Sequence, residues 1–133
     1  MPPVFKNYPH NSLRGNTFDP QRARELLAEA GYANGENFPR ITLETASGGQ
    51  NYEVIAQVIQ QMLKENLNID VDIKAMSMAQ QSDNAESGNA VFWRTAWLAD
   101  YPDPENFLCL FLGKDMENET GTYMNSVNYH SGL

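Results

Sequence analysis

The chain is poor in cysteine, histidine and positive charge, and each shortage removes a class of function. One cysteine, Cys109, in 133 residues excludes an internal disulfide framework and a cysteine-rich zinc site. Its setting, Phe107-Leu108-Cys109-Leu110-Phe111, reads as a small hydrophobe in a core. The two histidines, His10 and His130, stand near opposite ends without a cysteine or carboxylate at ligand spacing, so no metal and no other cofactor is expected. Nine basic against seventeen acidic residues leave a net charge of −8. Nucleic acid demands a basic surface, so it is not expected as a partner. No apolar run approaches the ~20 residues of a membrane-spanning helix. Met1-Pro2-Pro3-Val4 lacks the basic and apolar segments of an export signal. No G-x-S-x-G or S-x-x-K is present. Gly48-Gly49 is followed by no Lys-Ser/Thr, which leaves no nucleotide cradle. Asp100, Asp103 and Glu105 lack the spacing of a calcium loop.

What is there suits one globular domain over residues 1–133, with 41% hydrophobic residues for a core. Residues 1–16 are rich in Pro, Asn and Gly and read as an extended arm. Thr17 or Asp19 can cap a first helix with Pro20 at its first position. Ala23, Leu26, Leu27 and Ala30 share one face of it, and Gly31 supplies a stop. Tyr32 to Pro39 reads as a loop. Ile41-Thr42-Leu43-Glu44-Thr45 alternates as a strand with one buried face. Ser47-Gly48-Gly49 is a turn. A second helix carries Tyr52, Ile55, Ile59, Met62 and Leu63 on one face and ends near Asn66. A second strand alternates over Ile69, Val71, Ile73 and Ala75. A short helix is expected around Ala79 to Glu86 and a third strand from Val91 to Trp97. Asp103 then caps a helix with Pro104 at its first position and Glu105 in its first turn. That helix carries Phe107, Leu108, Phe111 and Leu112 and stops at Gly113. The order predicts an α/β fold, with helices packed on a small mixed sheet.

The most informative stretch is Trp97-Leu98-Ala99-Asp100-Tyr101-Pro102-Asp103-Pro104. Each proline fixes its own φ and pushes the preceding residue out of the helical region, so Asp100 and Tyr101 are expected to be extended just past a strand end. Ligands of open α/β sheets bind there. A carboxylate held between Trp97 and Tyr101 suits a cationic group on an apolar body, such as the amino end of a peptide. Asp100 reads either as a ligand group or as a turn carboxylate, and Trp97 and Tyr101 either as ligand contacts or as packing. Trp93 shares the Trp97 face by the strand period and reads as core, with Phe92 and Arg94 on the other face.

The motif W-x-A-D-Y-P-D-P followed by an apolar helix resembles the bacterial extracellular solute-binding proteins of family 5, which serve ABC importers of peptides, nickel and oligosaccharides. The likeness extends back through Phe18-Asp19-Pro20 to Ala30-Gly31-Tyr32, takes in Ile55 to Ile73, and ends at Tyr123-Met124-Asn125, covering roughly residues 17–126. It implies one lobe, the C-terminal one, of a type II periplasmic-binding-protein-like fold. A secretion or lipoprotein signal and an N-terminal lobe would then lie upstream. It also implies a solute or peptide ligand, an ABC permease as membrane partner, an extracytoplasmic location and no catalysis. Asp100 occupies the position where the family's acid pairs with a peptide ammonium, and Trp97 the position of an aromatic against the ligand. Two other readings stay open: the sensor domain of a regulator, and a hydrolase pairing Asp100 with a second acid.

Overall fold

The computed structural model describes residues 8, 9, 12, 15, 17–49 and 51–109. The expected arm over residues 1–16 lies largely outside these residues. Phe111, Leu112, Gly113 and the Tyr123-Met124-Asn125 segment lie wholly outside them.

Helix α1 spans Pro20–Glu29. The Asp19 carboxylate accepts the Arg22 backbone N–H at 2.9 Å, satisfying one of the orphan donors of the first turn. Gly31, at φ +92°, then turns the chain, and the Tyr32 N–H returns to the Leu27 carbonyl at 2.9 Å. Of the expected apolar face, Leu27 packs against the core while Leu26 stays exposed. The Tyr32–Pro39 loop contains a single 3₁₀ turn, Ala33–Gly35. Tyr32 and Phe38 close it edge to face, with ring centroids 5.0 Å apart.

Three strands follow: β1 at Ile41–Ala46, β2 at Val71–Met76 and β3 at Phe92–Trp93. Their order is β2-β1-β3. Both pairings are parallel, so the sheet expected as mixed is parallel throughout its described strands. Helix α2, Tyr52–Leu67, joins β1 to β2, and helix α3, Met78–Glu86, joins β2 to β3. The chain steps outward from β1 to β2 and then back across β1 to β3. Crossovers of one hand running in opposite directions place their helices on opposite faces of a sheet. Accordingly α2 covers the face of Leu43, Val71 and Ile73, and the side chains of α3 reach Glu44 and Met76 on the other.

That topology corrects the reading of β1 as buried on one face. As the central strand it is covered on both, and Leu43, Glu44, Thr45 and Ala46 are all buried. Leu43, Ala56, Ile69 and Val71 form the core, with Leu27, Phe38, Ile59, Leu63, Leu67, Ile73 and Phe92 packed around it. Burying a side chain such as Leu43 contributes roughly 1.5–3 kcal/mol. Helix α2 is rotated from the expected face: Ala56, Ile59, Leu63 and Leu67 point inward, and Ile55 and Met62 are exposed. Phe92 and Trp93 are also exchanged. The register sets Phe92 beside Leu43 on the core face and Trp93 beside Glu44 on the other. The expected strand Val91–Trp97 pairs with β1 at only these two positions. A final described helix, α4, covers Glu105–Leu108. Among the described residues no helix is long and apolar enough to cross a membrane.

Candidate functional site

The strand order reverses beside β1, which places a topological switch point between the carboxyl ends of β1 and β3. Two loops meet there. One is Ser47-Gly48-Gly49, leading into α2; the other begins at Arg94 and contains the Trp97–Asp103 stretch. The Arg94 guanidinium carbon lies 4.1 Å from the centroid of the Tyr52 ring at the start of α2. Gly49 leaves no room for a Cβ against that same ring. The β3 exit is tied back to the sheet: the Arg94 N–H donates to the Glu44 carbonyl at 3.0 Å. The buried Gln81 side chain of α3 donates to the carbonyls of Glu44 and Arg94, each at 2.9 Å.

The double-proline segment is a series of bends and not the extended run expected of Asp100 and Tyr101. The Asp103 N–H closes a three-residue turn onto the Tyr101 carbonyl at 2.9 Å. The helix starts one residue later than expected, with Pro104 at its N-cap position and not its first, while the Asp103 carboxylate just before it accepts the Glu105 N–H at 2.8 Å.

Two of the three sequence-selected residues, Trp97 and Asp100, converge on one that the pattern did not single out. Asn106, on α4, is buried at 3% exposure. Its carboxamide oxygen accepts the Trp97 indole N–H at 2.8 Å and the Asp100 backbone N–H at 3.4 Å. Trp97 is 37% exposed, so one part of its ring faces solvent. The Asp100 side chain is exposed and takes no hydrogen bond or ion pair among the described residues. The Tyr101 hydroxyl donates to the Glu105 carboxylate. That bond raises the phenol above its usual pKa. Cys109 is buried as expected, its Sγ 3.4 Å from the Asn106 carbonyl.

Sequence reasoning missed Asn106, Gln81 and Glu44 because each is polar, and polar residues in a turn-rich region read as solvent-facing. The only available signal was position: Asn106 falls in the first turn of a short helix next to a ligand-candidate turn. No group of three or more His, Cys, Asp or Glu side chains that could hold a metal occurs among the described residues. A separate polar groove along the outer edge of β2 is lined in part by Arg40, Gln60, Lys64, Asp70 and Asp72. Four of its five charges are internally paired, Arg40 with Asp72 at 2.8 Å and Lys64 with Asp70 at 2.9 Å, the second pair lowering the Asp70 pKa; the fifth, Glu65, accepts from Gln61 at 2.7 Å. A groove whose cations are already engaged in this way makes a poorer ligand site than the exposed Asp100.

The chain matches the model of the bacterial extracellular solute-binding proteins, family 5 Middle, over residues 1–119. It is 32% identical over 129 residues to the oligopeptide-binding protein OppA of Bacillus subtilis, covering 91% of this chain and 23% of that protein. It is 34% identical over 113 residues to di/tripeptide-binding protein 2 of Pseudomonas aeruginosa, covering 84% and 21%. Among solved structures, the periplasmic binding protein DppA of Helicobacter pylori, in complex with the peptide STSA, superposes with a TM-score of 0.76. Identity is 29%, over 98% of this chain and 24% of that one. A periplasmic oligopeptide-binding protein of Borrelia burgdorferi superposes with a TM-score of 0.72 at 32% identity, over 90% and 22%. The chain therefore spans less than a quarter of the length of the relatives in these sequence matches. Its α/β fold, with a small parallel sheet, is shared with these type II periplasmic binding proteins. From the family match across most of its length, together with this shared fold, the chain belongs to the bacterial extracellular solute-binding proteins, family 5.

Proposed function

We propose that this chain is one lobe of a longer solute-binding protein that captures peptides outside the cytoplasm for an ABC permease. The observation that carries the reading is the Asp100 carboxylate, exposed and without a side-chain partner among the described residues, beside the half-open Trp97 ring. A peptide amino end joins a cation to an apolar body, and this pairing offers a partner to each. Tyr101 contributes its ring, since its hydroxyl is engaged by Glu105. The two relatives described above are an oligopeptide-binding and a di/tripeptide-binding protein, which supports a peptide over a sugar or a metal chelate.

The role is binding without bond making. Asp103, the nearest second acid, is committed to the helix start, and Glu105 to Tyr101. The opposite wall of the cleft comes from the rest of the longer polypeptide, and closure of two lobes presents the ligand to the membrane partner. The test is calorimetric titration of the full-length protein with peptides bearing free or N-acetylated amino ends. Tighter binding of the free amine is expected. Equal binding of both removes the ammonium assignment.

A further inference from the structure

We infer that Asn106 is a positioning residue for ligand recognition, setting the Trp97 ring and the Asp100 carboxylate at a fixed spacing. The inference rests on the reading of those two residues as the ligand-contact pair.

One oxygen holds both. The Asn106 carboxamide accepts the indole N–H at 2.8 Å and the backbone N–H of Asp100 at 3.4 Å. The first bond fixes the ring about its own axis, because rotating the indole away would strand a buried acceptor. The second fixes the backbone from which the Asp100 side chain projects. The residue itself cannot drift. It is buried, and α4 is anchored at its start by the Asp103 carboxylate on the Glu105 N–H. Its own backbone N–H donates to the Asp103 carbonyl at 3.1 Å.

A side chain present only for packing would not take both donors from the one segment that offers ligand groups. A ring and a carboxylate referred to a common atom form a ruler. They select ligands whose charged nitrogen stands at one distance from the surface that stacks on the ring. Losing the common atom lets the two groups move independently, and the preference for a free amine should fade faster than total affinity.

The experiment uses the full-length protein with Trp93→Phe, which leaves Trp97 as the only indole of this chain. The probes are a pool of synthetic tripeptides with free amino ends and the same pool N-acetylated. Asn106→Leu keeps the volume and removes the acceptor. It should shift the Trp97 indole N–H resonance and reduce the free-amine preference roughly tenfold, the scale of one lost hydrogen bond. Asn106→Asp keeps an acceptor oxygen and should restore the indole signal. If Asn106→Leu does not fold, Asn106→Ser, too short to reach both donors, reads the same two quantities. Asp100→Asn separates the two levels of the argument. If the parent protein shows no free-amine preference, or Asp100→Asn leaves it intact, the reading of the site fails. If Asp100→Asn abolishes the preference while folded Leu or Ser variants at 106 keep it, the positioning role alone is overturned.

Discussion

The Asp103 carboxylate accepts the backbone N–H of Glu105 at 2.8 Å, whereas Asp100, three residues earlier, directs its side chain to no group among the described residues. Two acids on one turn thus divide into scaffold and candidate ligand group. Asp100→Asn keeps the shape and removes the charge. It should weaken binding of an amine-bearing peptide by about 30-fold or more, because breaking a desolvated charge pair from one side costs ~2–5 kcal/mol. Asp103→Asn should leave affinity unchanged, since Asn caps as well as Asp, and Asp103→Ala should cost about 1 kcal/mol of stability. Titration calorimetry and thermal melts read the two effects separately. Unchanged affinity in Asp100→Asn would move the assignment to an uncharged ligand held by Trp97.

Tyr101 gives a pH signature. Its hydrogen bond to Glu105 holds the phenol pKa above the ordinary 10.0. A group whose pKa is higher in the folded state stabilises the fold below its unfolded pKa and loses that contribution as pH rises through the folded value. The contribution should therefore be complete at neutral pH and disappear above about pH 10. Glu105→Gln removes the principal cause and should bring the phenol back down. Difference titration of phenolate absorbance against Tyr101→Phe measures the shift, and coincident curves for wild type and Glu105→Gln would disprove it.

Thr45 is a weak point in the core. It is fully buried at 0% exposure, and its hydroxyl has no hydrogen-bond partner among the described residues. Thr45→Val removes an unsatisfied polar atom at nearly constant shape. It should raise stability by ~1 kcal/mol, seen as a melting temperature a few degrees higher. A lower melting temperature would show that the hydroxyl is satisfied in solution.

Exposed apolar side chains on α2 predict association. Val54, Val58 and Met62 recur every four residues on one face, at 55%, 49% and 41% exposure. Contiguous patches of this kind seek partners. The outer edge of β2 is the weaker route, because Gln60 caps the Val71 carbonyl and Asp72 and Lys74 are exposed there. Sedimentation should show concentration-dependent self-association of the isolated chain that Val58→Glu suppresses. A strict monomer at high concentration, or association indifferent to Val58→Glu, would refute it.

Much of the fold was legible because its punctuation is local. Asp19-Pro20 and Asp103-Pro104-Glu105 mark helix starts through bonds made within three residues, and Gly31 marks a stop through its own φ. What was illegible depended on the third dimension. Glu44 alternates like a solvent-facing residue, yet it is buried because β1 is central and α3 crosses its far face with Asn84 donating to the carboxylate at 3.0 Å. Phe92 and Trp93 exchanged faces because two adjacent aromatics satisfy either phase of a period-2 pattern, and only the register with Leu43 decides between them. In the site, Asp100 and Trp97 stood out by type and setting. Asn106 did not, since nothing in its sequence context tells a buried double acceptor from an ordinary polar residue in a helix.

The shortness of β3 has a kinetic meaning. Its pairing with β1 closes about fifty residues of chain and is secured by two register positions, against six for β1 with β2. A distant contact with so little ladder forms late and opens early, so amide hydrogens after Trp93 should exchange well before those of Leu43 or Val71. The candidate ligand groups thus hang from the more easily released of the two described pairings of the sheet. A peptide that bridges Trp97 and Asp100 to the opposite lobe would clamp it, and occupancy would be readable as slowed exchange at this one seam.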